Sequence, residues 1–584
     1  MIGKWTVGVV FTAIALVFAL ATAGCGNKEE TLEVLNDPVA ISSGPAASHA
    51  VYDLSFTEED LDSSYDIDAA TYIVLKEDNI EVTGEGAVAA DKTLTISEGG
   101  TYLLKGELSN GQVIVEAPES EKVQLILHGV SIRNDIQPSL LIKEGGKVIT
   151  TLAADQMNYL TVGDNNSGDD EQDLDSVIYS QGDLTINGTG TLKVRSSNYG
   201  IVSQGELRVT GGKLSITSLG EGLFAKNAIK IKDGNFRLDT QKDSFRAENG
   251  EDESKGFIYI AGGNFDIHSQ GNGFHAETLL QIDAGNFNIT TEESNRAPNG
   301  LTNIALIAHK EIILNEGLYD LNTSDDGISS NGRLVITGGT IGINSETKGL
   351  HAHGDLTITG GILYIEKSHV GISGENIVIT GGIVEVNTDD DGFIVAGGKD
   401  STDSTSEKNN FLRVSGGEIH IISNGDGLDI NGDLFIDGGK LLLSSPVSSG
   451  KATFGFGGKA IITGGIIMAT GSSVTAQSFS DSSTQYSVLH NLTDIMNAGS
   501  EITILDSNGK EILKWTADQD FCSVQFSSPD LLEGKTYTLV ADNFSDKIVL
   551  NSITTSNEAA FSTAISGAKR ENPPMEINKF SRNN

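Results

Sequence analysis

Leu334-Val335-Ile336-Thr337-Gly338-Gly339-Thr340-Ile341-Gly342-Ile343 holds most of one structural unit in ten residues. After the glycine pair, Ile341 and Ile343 point one way while Thr340 and Gly342 point the other, which is the alternation of a strand. Before it lies another short apolar strand, Leu334-Val335-Ile336, repeated further on as Leu356-Thr357-Ile358. Turns between strands on different faces need positive φ or close backbone packing, which glycine permits without steric cost.

Working outward, the turn glycine recurs at Gly190, Gly212, Gly234, Gly263, Gly285, Gly317, Gly339, Gly361, Gly382, Gly417, Gly439 and Gly465. Seven of the eleven spacings are 21 or 22 residues, and the rest are that period plus an insertion. A further strand follows Gly200, Gly222, Gly273, Gly300, Gly327, Gly349, Gly371, Gly392 and Gly427, and the next residue is apolar each time. Three strands and three turns in roughly 22 residues make one coil of a β-solenoid. Helical repeats would show a 3.6-residue period, and the Leu/Asn ladder of leucine-rich repeats is missing.

The expected fold is therefore all-β, a parallel β-helix over residues 70–475 with a small β cap over 476–550. Stacked coils place like over like, so Phe236, Phe265 and Phe287 are expected as an inward stack. Asn235, Asn264 and Asn286 are expected as a hydrogen-bonded ladder. Polar insertions near 246–256, 291–303 and 397–410 are expected as protruding loops. Residues 551–584, with Pro573-Pro574, read as a disordered tail.

The 584 residues carry 39 Lys+Arg against 80 Asp+Glu, a formal net charge of −41. Nucleic-acid binding needs a basic face and is excluded on that balance. Gly is abundant at 69 and Pro scarce at 9, so the glycines do not belong to a Pro/Gly linker. Of the two cysteines, Cys25 follows an apolar stretch and Cys522 stands alone, so no intrachain disulfide is expected. Lys4, the apolar residues 7–20 and Ala21-Thr22-Ala23-Gly24-Cys25 read as an export signal over 1–24. The Ala-Gly-Cys ending resembles a bacterial lipoprotein signal, which implies lipidation at Cys25 and a membrane anchor at the cell surface; a plain secretory signal is the alternative. Residues 25–69 read as a flexible tether.

Asp325-Asp326-Gly327, Asp389-Asp390-Asp391-Gly392 and Asp426-Gly427-Leu428-Asp429 set carboxylates just ahead of the same strand. By register Asp391 and Asp426 are equivalent positions in neighbouring coils. Two such carboxylates repel unless a cation or proton intervenes, and clustered hard oxygens suit Ca²⁺, with Asn424, Asp429 and Asn431 available to complete the shell. The competing reading is ordinary turn chemistry, since Asp and Asn before Gly are common in turns. The acidic run Asp164, Asp169, Asp170, Glu171, Asp173 and Asp175 reads as a solvated loop. Outward Arg246, His275, His351, Tyr364 and Tyr199 are candidate sugar contacts. Arg246 and His275 should be adjacent, but His275 and Asp391 should stand about 24 Å apart along the axis, too far for one catalytic site.

At Ser176-Val177-Ile178-Tyr179-Ser180-Gln181-Gly182-Asp183-Leu184-Thr185-Ile186-Asn187-Gly188-Thr189-Gly190-Thr191-Leu192-Lys193-Val194 the chain resembles the bacterial carbohydrate-binding domain-containing proteins, often exported lipoproteins. The Gly327-Ile328-Ser329-Ser330 and Val335-Ile336-Thr337-Gly338-Gly339 repeats carry the same likeness, which spans roughly residues 85–550. The resemblance implies a right-handed parallel β-helix similar to polysaccharide lyases, with affinity for cellulose-like and acidic polysaccharides and for Ca²⁺. The expected function is a surface lipoprotein that binds polysaccharide with Ca²⁺ as cofactor. A lyase or hydrolase on acidic glycans, and a structural adhesin with a protein partner, are the alternatives.

Overall fold

A computed structural model of the protein describes residues 51–163, 176–292, 302–396, 410–447 and 450–557. Cys25, the export signal, the acidic run from Asp164 to Asp175 and residues 558–584 lie outside the described residues, as do most of the insertions near 291–303 and 397–410.

The described chain is all-β apart from one short helix, Glu58–Leu61, and its parallel strands stack into three ladders in a solenoid-like arrangement. The ladder before the glycine pairs runs Leu334, Leu356, Ile377, Leu412 in successive rungs. The one after them runs Tyr319, Ile341, Leu363, Val384. The third ladder has 16 strands and carries Phe393, Leu428 and Phe454 as direct neighbours. Asn264 and Asn286, 22 residues apart, are paired directly.

Alternation puts the apolar residues inside. In Asn235–Thr240, Asn264–Ser269 and Asn286–Thr291 every second residue is buried. Phe236, Phe265, Phe287 and Tyr319 stack face to face with centroids 4.7–4.8 Å apart. A second column, Phe245 over Phe274 at 4.4 Å, meets the first edge-on. Burying each ring contributes roughly 2–3 kcal/mol, and each good ring pair adds about 1 kcal/mol. These rings dictate their own turns. At Gly285 (φ +138°) and Gly317 (φ +126°) a Cβ would stand 2.9 Å from the Phe287 and Tyr319 rings.

Both ends of the stack carry antiparallel pairs, which cover part of the strand edges there. At the start, Thr71–Glu77 forms a hairpin with Asn79–Thr83. At the far end Ile466–Gly471 pairs antiparallel with Phe521–Ser527, and a separate sheet of Glu501–Leu505, Glu511–Thr516, Thr536–Ala541 and Phe544–Val549 completes the expected cap. The cap reaches further than 550, since Thr554–Ser556 pairs with Ser487–Met496.

The expected tether is corrected by the structure over residues 51–62, which lie against the first ladder. Tyr52 packs edge-on to Phe257 at 5.3 Å, and the buried Lys230 ammonium donates to the Asp53 carbonyl at 3.1 Å. Asp60 is fully buried, accepting from Thr185 at 2.7 Å and pairing with Lys147 at 3.0 Å. Burial alone would raise its pKa, but the hydrogen bonds from Thr185, Thr57 and Lys147 outweigh it and hold the carboxyl well below the usual range. Polarity made the segment read as tether, yet its polar groups are paired on the sheet.

Candidate functional site

The acidic residues sit at the corner that leads into the third ladder, and the corner is built from side-chain hydrogen bonds. Thr388 Oγ1 donates to the Asp390 carbonyl at 2.9 Å, fixing the turn. Asp391 Oδ1 then accepts the main-chain N–H of Asp426 at 2.7 Å, and Asp426 Oδ1 accepts that of Ala452 at 2.5 Å. The same bond links Asp243 to Asn272 at 2.8 Å and Asp326 to Lys348 at 3.1 Å. A short side-chain acceptor at each of these four corners ties its coil to the next, in the manner of local Asx bonding. The turn reading of these residues therefore holds, and it consumes one oxygen of each.

The carboxylates of one group converge. Asp391, Asp426 and Asp429 offer ligand atoms that all lie within 4.8 Å of one another, the one such group of three among the described residues. Burial pushes the Asp426 and Asp429 pKa values up, and the Asp391 charge adds to both shifts. Three carboxylates under mutual repulsion form a hard-oxygen set of the kind that takes Ca²⁺.

A residue that the sequence did not flag also stands there. Lys451 Nζ lies 2.9 Å from Asp390 Oδ1 and 3.2 Å from Asp391 Oδ1. Burial would lower the Lys451 pKa, but these two carboxylates raise it above its ordinary value. Its signal was its place three residues before Phe454, the register of Asp390 and Gly425, hidden by the two-rung separation.

The other expected carboxylates, Asp389, Asp390, Asp325 and Asp326, are not part of the trio. Asp389 and Asn424 donate main-chain N–H groups to the Ser368 and Thr388 carbonyls, and Asp390 turns to Lys451. Asp325 and Asp326, three rungs from Asp391 on the third ladder, accept from Thr347, and among the described residues no third acid completes a group with them.

The candidate sugar contacts divide between two faces. Arg246 and His275 are paired neighbours on the third ladder, as expected. Arg246 Nε donates to Glu248 at 2.9 Å, and His275 Nδ1 lies 2.7 Å from Asp243 Oδ2. His351, on the same ladder, has its pKa pushed down to about 4, chiefly by burial and then by Lys348 and His353. Tyr199 stands edge-on to Phe224 with the Lys242 ammonium 5.6 Å from its ring.

Tyr364 belongs elsewhere. It lies in a column running Arg237, Asp266, Asn288, Asp320, Gly342, Tyr364 in successive rungs. The first four of these, with the Asn235, Asn264 and Asn286 ladder, line an open groove of about 780 Å³. Asn264 donates to Asn235 at 3.2 Å, Asn286 to Asn264 at 2.8 Å and Asn288 to Asp266 at 2.9 Å. The ladder reading of the asparagines was correct, but the groove they floor was not foreseen. It depends on which outward columns turn concave, and strand alternation does not encode that.

The described chain is thus an all-β stack with a column of polar side chains along an open groove and one convergent acidic corner. A family model described as carbohydrate-binding domain-containing protein matches residues 90–349 and 343–508, most of the chain, and the chain belongs to that family. A relative of the same description from Acetivibrio thermocellus is 26% identical over 253 residues, 43% of this chain and 79% of that protein. A solved structure of a polysaccharide lyase-like protein from C. thermocellum, a gadolinium derivative, aligns with a TM-score of 0.36 at 23% identity. It covers 46% of this chain and 96% of that one.

Proposed function

We propose that this protein is a lipid-anchored surface protein that binds polysaccharide along a right-handed β-helix of about 22 residues per coil, with Ca²⁺ held by Asp391, Asp426 and Asp429. Lipidation is assigned to Cys25, which places the body outside the membrane. Family membership supports a carbohydrate ligand. The observation that carries the reading is the groove, where Arg237, Asp266, Asn288 and Asp320 repeat rung upon rung. A glycan presents hydroxyl or carboxylate groups at regular intervals, and a repeating row of donors and acceptors suits it. Cellulose-like and acidic glycans are the expected classes. Affinity electrophoresis through gels containing polygalacturonate or a soluble cellulose derivative tests this. Retardation that Arg237→Ala relieves supports the reading, and equal mobility with and without glycan overturns it.

A catalytic reading has one observation in its favour. Burial pushes the Glu221 pKa up, with the Asp243 charge adding to the shift, and Arg246 lies nearby. Two neighbouring carboxyls whose pKa values are pushed in opposite directions, Glu221 up and Asp243 down, are an acid–base pattern. Incubation with polygalacturonate separates the readings: unsaturated products or new reducing ends that Glu221→Gln abolishes favour an enzyme, and unchanged polymer favours a binding module.

A further inference from the structure

Away from the acidic corner, two imidazoles on the third ladder face each other. His275 lies in Phe274–Ala276, and His309 directly follows the next rung, Leu306–Ala308. Their Nε2 atoms are 3.4 Å apart, and each ring has a carboxylate at its far nitrogen. Asp243 Oδ2 is 2.7 Å from His275 Nδ1, and Glu277 Oε2 is 3.2 Å from His309 Nδ1. With a carboxylate oxygen as the acceptor at each of these distances, Nδ1–H of each ring is the donor.

That assignment leaves both Nε2 atoms as lone pairs aimed at each other, an arrangement that needs a cation or a shared proton between them. The geometry discriminates. Two imidazoles on one tetrahedral ion with bonds of about 2.05 Å have nitrogens about 3.35 Å apart and ring centroids about 5.3 Å apart. A straight N–H···N bond of the same length would set the centroids at about 5.7 Å. The observed values are 3.4 Å and 5.2 Å. The carboxylates behind both rings are the outer partners that orient metal-binding histidines and raise their basicity.

We infer that His275 and His309 bind a borderline transition-metal ion of the Zn²⁺ class through Nε2, with Asp243 and Glu277 as positioning residues and water in the remaining positions. Imidazole suits Zn²⁺, Ni²⁺ and Cu²⁺, whereas Ca²⁺ prefers the all-oxygen corner, so the two sites select different ions. His309 is about a third exposed, which gives the ion an entry path.

The test is calorimetric titration of the full chain with ZnCl₂, and with Co²⁺ for its visible absorption. The wild type is expected to take one Zn²⁺ that excess Ca²⁺ does not displace, with tetrahedral Co²⁺ bands. His309→Gln should weaken binding at least tenfold, and Glu277→Gln by about tenfold. His353→Gln and Asp429→Asn should leave it unchanged. Circular dichroism on each variant shows that the fold is kept. Absence of Zn²⁺ binding to the wild type, or an isotherm unaltered in a His275→Gln/His309→Gln double variant, overturns the inference.

Discussion

Asp391 and Asp426 stand one rung apart, the Asp391 carboxylate accepting the Asp426 main-chain N–H at 2.7 Å. One bond thus does two things. It stitches neighbouring coils together, and it brings two carboxylates, with Asp429, close enough to repel. The fold sets up the charge cluster as a by-product of its own stacking.

That repulsion has a sign. The Asp426 and Asp429 pKa values are raised by burial and by Asp391. A raised carboxyl pKa disfavours the folded state at pH above the folded value, and the penalty fades as pH falls through it toward the unfolded value. The cation-free protein should therefore gain stability as pH drops from neutrality into the carboxylate range, while Ca²⁺ affinity falls over the same interval because protons compete. Asp429→Asn should leave the melting temperature at pH 7 equal or higher without Ca²⁺ and weaken Ca²⁺ binding at least tenfold. Lys451→Gln should strengthen Ca²⁺ binding, since it removes a cation that already neutralises Asp390 and Asp391. Calorimetric titration and thermal melts check all three.

Asp60 behaves in the opposite way. Its pKa is lowered by hydrogen bonds that outweigh burial, so its stabilisation is full above the unfolded pKa and is lost as pH falls through the lower folded value. Asp60→Ala leaves Lys147 without its buried partner and should cost about 3 kcal/mol in urea unfolding. It should also open residues 51–62 to proteolysis.

Phe265 touches four aromatic rings, stacked on Phe236 and Phe287 and edge-on to Phe245 and Phe274. Phe265→Ala should cost about 4 kcal/mol by leaving a cavity in both columns. Phe265→Leu should cost less than half as much. Denaturant midpoints with an unchanged slope check this.

Much of this architecture was legible beforehand, and the reasons are local. Strand alternation identified Phe236, Phe265 and Phe287 as inward, and the position before the strand glycines Gly392 and Gly427 put Asp391 beside Asp426 despite the insertion between them, because both depend only on register. Residues 51–62 were misread, since a polar segment that satisfies its polar groups on a sheet has the composition of a linker. Lys451 and the His275–His309 contact were invisible for another reason. Each joins residues in adjacent register columns or across two rungs, where side-chain reach, not spacing, decides what touches.

Arg237 is four-fifths exposed, so its removal should not disturb the stack. Arg237→Ala should keep the wild-type melting temperature while reducing glycan affinity severalfold, and Tyr364→Ala should do so to a smaller degree. Affinity electrophoresis beside thermal melts checks both.

The most direct test is a glycan array probed with the wild type and with Asp391→Asn/Asp426→Asn, each with Ca²⁺ and with chelator. Polysaccharide binding by the wild type that is strongest for acidic glycans with Ca²⁺, and that the double variant loses on those glycans, is the predicted result. An array blank across plant and bacterial polysaccharides, or binding indifferent to both Ca²⁺ and the two aspartates, would contradict it.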